Sequence, residues 1–187
     1  MTVEPIKDKS KIEEMYKYLN HEKGLKYGLL FKFGINTGLR ISDILPIKVY
    51  DIYDKNHEFH EYLSLKEKKT GKEKKIVINN TLREAINAFV VFNKLSHKSF
   101  LFASKKGGHI GRVQAYRVLK ESADTIGLEN FGTHSLRKTW GYWTYKISEH
   151  NIGLIMDAFN HSSQKITLRY IGINQEEKDK LYSLVQL

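Results

Sequence analysis

A chain of 187 residues with 41% apolar composition is long enough to bury a core as one domain, which excludes disorder as its overall state. Its formal charge of +10 at pH 7 and pI near 9.5 favour a polyanionic partner, nucleic acid before an anionic membrane. Cysteine is absent, which excludes disulfides and thiol catalysis; the first residues lack the basic and apolar regions of a signal peptide, and no apolar run approaches the length of a bilayer span. The expectation is a cytoplasmic protein with no membrane partner.

Along the chain, Ser10-Lys-Ile-Glu13 has the form of a capping box, and Ile12, Met15, Tyr16 and Leu19 then share one helical face. A second helix carrying Leu25, Leu29, Leu30 and Phe33 ends at Gly38. Arg40, in the segment Thr37-Gly-Leu-Arg40, therefore opens a short helix stopped near Pro46. From about Phe59 to Ile78 the pattern changes, and Tyr62, Ser64, Lys66, Ile76 and Ile78 predict a hairpin with Lys69-Thr-Gly71-Lys72 at its tip. Leu82, Ala85, Ile86 and Phe89 restore the helical period, with Thr81 and Glu84 as caps. Further helices are predicted near 111–126, 135–148, 151–159 and 175–185. The fold class is mainly α with a small antiparallel β-sheet (α+β), the sheet attached to a helical body.

Three segments carry chemistry. His134 and Arg137, in His134-Ser-Leu-Arg137, are three apart at a helix start, so they share a face, with Thr133 as cap and free backbone N–H groups that favour an anion. Asp43 lies three positions after Arg40 and is placed to brace it, or a histidine, through a charge-assisted hydrogen bond. In Phe159-Asn-His161-Ser-Ser-Gln-Lys-Ile-Thr167-Leu-Arg-Tyr170, a left-handed turn at Asn160 aims His161 inward, and Thr167 starts a short turn carrying Tyr170. Each segment alone reads equally as a surface helix start, an Arg–Asp pair or a chance spacing. Together they supply what a metal-free attack on a phosphodiester needs: fixed cations, proton-transfer groups and a hydroxyl nucleophile. His57-x-x-His60 lacks further ligands at metal-binding spacing and reads as a polar strand edge. Trp140 and Trp143 read as core.

These segments resemble the tyrosine recombinase (phage integrase) family, whose pattern is an arginine in T-G-L-R, a lysine at a β-hairpin, H-x-x-R, then L-G-H ahead of a tyrosine nine residues on. The likeness runs from about residue 10 to the end, and departs from the pattern where Phe159-Asn160-His161 stands for Leu-Gly-His. The resemblance implies that Arg40 and Arg137 clamp the scissile phosphate while Tyr170 attacks it. His134 bonds the phosphate and assists proton transfer, and His161 donates to a non-bridging oxygen. Lys69, directly before the hairpin turn, is the lysine that protonates the leaving 5′-hydroxyl, with Lys66, Lys68 and Lys72 as neighbours to be distinguished from it.

What the resemblance implies for the whole protein is a site-specific DNA recombinase of integrase or invertase type, cutting and rejoining DNA through a 3′-phosphotyrosyl link without metal, cofactor or ATP. Alternatives are a type IB topoisomerase-like relaxing activity and a DNA-binding regulator that has lost cleavage. Expected partners are double-stranded DNA, further copies of the chain in a synaptic tetramer, and accessory DNA-bending proteins. Residues 1–187 are expected to form a single catalytic domain, with 174–187 a tail helix docking on a neighbouring protomer through Leu181, Leu184 and Val185. Most relatives carry a further N-terminal DNA-binding domain, so the chain is expected to be either a short family member or part of a longer integrase.

Overall fold

The middle of the molecule is a helix that is apolar on nearly every side. In a computed structural model describing residues 3–173 together with 179, 182–184 and 186, helix α1 (Lys9–Tyr18) leads through a π turn into α2 (Leu25–Thr37). Helix α2 buries Tyr27, Leu29, Leu30, Phe31 and Phe33, and a helix with no polar face belongs inside. It is followed by a one-turn helix α3 (Ile41–Ile44), strands β1 (Leu63–Lys66) and β2 (Glu73–Ile76), and then α4 (Asn80–Phe92), α5 (Arg112–Thr125), α6 (Thr133–Ile147), α7 (Ile152–Phe159) and α8 (Gln164–Tyr170). The α+β class is as expected.

Helix α6 lies directly against α2, and two glycines let it come close. A Cβ at Gly34 would stand 2.7 Å from Leu136 Cδ1, and one at Gly38 would stand 2.4 Å from the Trp140 ring. Gly38 also ends α2 in the left-handed conformation, φ +62°, which costs glycine nothing. The chain therefore turns sharply there and delivers Arg40, the cap residue of α3, beside α6.

The two strands pair antiparallel in the register Leu63 with Ile76 and Lys66 with Glu73. Their loop closes by Glu67 N–H donating to Lys72 O (2.9 Å) and Gly71 N–H to Glu67 O (2.8 Å), with Gly71 at φ +69°, so the tip falls where the turn residues placed it. A second apolar cluster of Tyr142, Ile155, Phe159 and Ile171, with Trp140 and Trp143 packed against it, joins α6, α7 and α8. The tryptophans are thus packing residues.

Four local expectations need correction. Helix α1 is capped by Asp8, whose carboxylate accepts from Ser10 N–H, one turn-start earlier than Ser10 itself. Helix α4 is capped by Asn79, accepting from Leu82 N–H, in place of Thr81. Helix α6 begins at Thr133 after an uncapped Gly132. The segment carrying Tyr170 is a full helix, α8, capped by the Ser163 side chain on Ile166 N–H, where a turn starting at Thr167 was expected. At α1, α4 and α8 an earlier polar residue takes the free N–H groups of the first turn, whereas at α6 no side chain does. The expected helix at 175–185 falls largely outside the described residues.

Candidate active site

Arg40, Lys68, Lys69, Arg112, His109, His134 and Arg137 line one cleft of about 660 Å³. Its lining holds five permanent cations and no carboxylate, the electrostatic footprint of an anion site. The α6 N-terminus opens into it through Thr133 and His134. No side chain caps Gly132, so first-turn N–H groups there remain available to an anion.

Arg137 is only 3% exposed. Its guanidinium donates to the carbonyls of Gly38 and Phe159 and stacks 4.3 Å over the Phe159 ring. Burial, then repulsion from Arg40, lowers its pKa, but a guanidinium remains charged throughout. The close α2–α6 approach is what puts the Gly38 carbonyl within its reach.

Arg40 meets its carboxylate on the hairpin. Nη1 lies 2.8 Å from Glu67 Oε1. Asp43, expected to brace Arg40 or a histidine, instead accepts the backbone N–H of Lys68 (3.0 Å) and so holds the hairpin. Glu67 was not foreseen, yet alternation marks it: Leu63, Leu65 and Glu67 share one parity, the buried side of β1. Among the described residues, Arg40 Nη1 and Glu67 Oε1 satisfy each other across their 2.8 Å ion pair, which leaves Asp43 Oδ2 as the buried side-chain polar atom without a partner. Unsatisfied buried groups are rare and concentrate where function outweighs stability.

The hairpin lysines separate by geometry. Lys68 and Lys69 line the cleft. Lys72 Nζ donates to Asn160 Oδ1 (2.9 Å), and Lys74, which the sequence did not single out, donates to Ala158 O (2.7 Å). These last two pin the hairpin to the end of α7. Arg112 and His109, which also line the cleft, carried no signal in sequence beyond being basic.

Asn160 ends α7 in the left-handed conformation, φ +55°, as its place before His161 suggested. The rings of His161 and Tyr170 stand 5.1 Å apart edge to face, and both contact Phe159 at 5.3 Å. Phe159 thus forms a floor touched by Arg137, His161 and Tyr170. Thr167 Oγ1 donates to Ser163 O (3.1 Å), so its 3.1 Å contact with His161 Nδ1 is one in which Nδ1–H donates. That tautomer leaves Nε2 a lone pair, which donates to a phosphate only once protonated.

Burial pushes the Tyr170 hydroxyl above the usual phenol range, while the positive charges of Arg137 and Arg40 pull it back. Lys138, buried beside Arg137, places Nζ 5.2 Å over the Tyr170 ring. His134 is lowered by partial withdrawal from water and by Arg137, Arg40, Lys138 and Lys69. His161 is lowered by burial and by the two arginines. Both imidazoles are therefore neutral near pH 7 in the DNA-free protein. Among the described residues, no cluster of three or more His, Asp or Glu is placed to hold a metal ion, and His60 Nε2 instead meets Tyr50 O at 3.1 Å. No helix among them is long and apolar enough to cross a membrane.

The model of the phage integrase family matches residues 7–177. The probable integrase/recombinase YoeC of Bacillus subtilis (strain 168) is 41% identical over 183 residues, 97% of this chain and 96% of YoeC. Among solved structures, XerA recombinase superposes with a TM-score of 0.75 at 14% identity, over 98% of this chain and 64% of XerA. The XerH site-specific recombinase bound to its difH substrate superposes with a TM-score of 0.69 at 18% identity, over 98% of this chain and 55% of XerH. The two structural likenesses show a shared fold. The chain spans nearly all of YoeC and somewhat over half of the two Xer chains.

Proposed function

The chain belongs to the phage integrase family, and from that premise we propose that it is a site-specific DNA recombinase that cuts and rejoins strands through Tyr170. The observation that carries this reading is the meeting of Tyr170, His161 and Arg137 on the Phe159 ring, beside a cleft that Arg137 shares with Arg40 and His134. In support, the proposed nucleophile and charge-stabilising groups come from four separate elements, α3, the hairpin, α6 and α8.

In this reading Tyr170 Oη attacks the scissile phosphorus, the P–O5′ bond breaks, and a 3′-phosphotyrosyl link and a 5′-hydroxyl form. Neutral His134 accepts the phenol proton, and Lys69, on the cleft wall, supplies the proton to the leaving oxygen. Arg40 and Arg137 neutralise the charge that builds on the non-bridging oxygens. Phosphate binding raises the His161 pKa, so the imidazolium donates to one of those oxygens from Nε2. A second 5′-hydroxyl then reverses the step on a partner strand. One phosphodiester replaces another, so no ATP is consumed.

The partner in this reading is double-stranded DNA, which is supported by the fold shared with a lambda integrase bound to DNA and with XerH bound to its difH substrate. Strand exchange between duplexes calls for several protomers, a synaptic tetramer, assisted by DNA-bending proteins. Residues 1–187 act as one catalytic domain in the cytoplasm, with 174–187 docking on a neighbouring protomer.

A nicked suicide duplex tests the reading. The protein forms a covalent adduct that survives denaturant, and Tyr170→Phe binds DNA but forms none; an adduct with Tyr170→Phe refutes the nucleophile assignment. Lys69→Met cleaves ordinary DNA slowly but recovers when the bridging 5′ oxygen is sulfur, a leaving group that needs little protonation. If Lys68→Met shows that selective rescue and Lys69→Met does not, the acid is the neighbouring lysine.

A further inference from the structure

Among the described residues, Glu67 is the one carboxylate in ion contact with Arg40 or Arg137, and the mechanism above gives it no task. It is 1% exposed and sits behind the cleft, not in its lining. Oε1 meets Arg40 Nη1 at 2.8 Å and Lys74 Nζ at 3.8 Å. Oε2 accepts from Thr70 Oγ1 (2.7 Å) and from Asn160 Nδ2 (3.4 Å). One carboxylate thus touches α3's arginine, the hairpin turn and the residue preceding His161.

We propose that Glu67 is a positioning residue that aims the Arg40 guanidinium at the scissile phosphate. The proposal rests on Arg40 being a phosphate-clamping group. Arg40 is on a long side chain at the start of a one-turn helix, with many rotamers open to it. Arg137, by contrast, is held by two carbonyls and a ring. A buried carboxylate on one edge of the Arg40 fork fixes the plane and leaves the remaining N–H groups for an anion. Its negative charge also offsets the mutual repulsion of Arg40, Arg137 and Lys74, which lowers the Lys74 pKa after burial has done so. Glu67 itself is drawn both ways, since burial opposes its ionisation, but Thr70 and Arg40 outweigh this and hold the carboxyl below its usual range. Thr70, Asn160 and Lys74 keep the carboxylate in place, so removing its charge frees Arg40 before anything else moves.

The test is a double-mutant cycle on single-turnover cleavage of a suicide duplex with wild type, Glu67→Gln, Arg40→Ala and the double variant. Glutamine keeps the size and the Thr70 contact but drops the charge. Misplacing a positioned group costs roughly 10²-fold, so Glu67→Gln is expected to slow cleavage between ten- and a hundredfold. DNA affinity and thermal midpoint stay near wild type. In the Arg40→Ala background the same change adds less than twofold, because the group it aims is gone. On a duplex with a neutral methylphosphonate at the cleavage site, which needs less charge compensation, the Glu67→Gln and Arg40→Ala deficits shrink together.

Additive losses in the cycle overturn the proposal. So does selective rescue of Glu67→Gln by the sulfur leaving group, which would place its action on Lys69. A Glu67→Gln protein without a cooperative thermal transition assigns the residue to the fold and overturns it as well. If Arg40→Ala alone cleaves at the wild-type rate, the phosphate-clamp reading fails instead, a separate and visible result.

Discussion

A buried guanidinium keeps its charge at 3% exposure only because carbonyls and a ring face replace water around it, and Arg137 has all three. Lysine at this position has neither the plane to stack on Phe159 nor the fork to reach two carbonyls and a phosphate oxygen together. Arg137→Lys is expected to lower single-turnover cleavage by roughly 10²-fold or more, the usual loss for one preorganised charge donor, with a smaller loss of binding. Near-wild-type cleavage by that variant removes Arg137 from the clamp. The histidines make a second prediction. Their folded pKa values lie below the unfolded value of 6.5, so between the two the unfolded chain binds more protons. Stability of the DNA-free protein is therefore fully present above pH 6.5 and falls as pH drops through the folded values. Thermal midpoints measured from pH 7.5 to 5.5 should fall, and fall less in His161→Gln; identical slopes for the two proteins would remove His161 from the effect.

Between elements, the decisive contact is the approach of α2 to α6. Gly34 and Gly38 face Leu136 and Trp140 with no room for a methyl group, and both Arg40 and the Gly38 carbonyl that holds Arg137 depend on that spacing. Gly38→Ala combines a disfavoured positive φ with contact against a packed indole. It is expected to destabilise the fold by about 1–3 kcal/mol, read from the urea midpoint, and to slow cleavage beyond what the unfolded fraction explains. A fully active, equally stable variant would show that α6 can retreat without cost to the site. The hairpin is the second movable element. Asp43 holds Lys68 N–H, while Lys72 and Lys74 hold the end of α7, so the loop bearing Lys69 is tied down on both sides of its tip.

For the molecule as a whole, the net charge is +10, and the cleft lining holds five cations with no acid among them. DNA affinity should fall steeply with salt, each neutralised phosphate contributing roughly −0.9 to the log–log slope. Arg112→Met tests a contact visible only in three dimensions: it should weaken binding to all sequences and reduce the slope by about 0.9. An unchanged slope would leave Arg112 off the phosphate backbone. Deleting residues 174–187 should impair assembly on DNA and strand exchange more than binding to a single site, whereas unchanged recombination would argue against a tail that docks between protomers.

The sequence by itself determined the hairpin and its tip, the glycine that ends α2 and the left-handed turn at Asn160, and its family likeness named Arg40, Lys69, His134, Arg137, His161 and Tyr170 as the candidate set. Those signals are local or periodic: a breaker, an alternation, a helical stripe, a motif spacing. The caps were misplaced by a few residues because several polar side chains compete for the same first-turn N–H groups, and their neighbours settle the competition. Only the tertiary structure decided which acid meets Arg40. Asp43 is near it along the chain, but Glu67, 27 positions later in sequence, is near it in space, because β1 turns its buried face toward α3. The same holds for Lys68 and Lys69 reaching the cleft while Lys72 and Lys74 anchor α7, and for the tautomer of His161. Each depends on which groups from distant elements share a hydrogen-bond direction, and that information exists only once α2, α6 and the hairpin have packed.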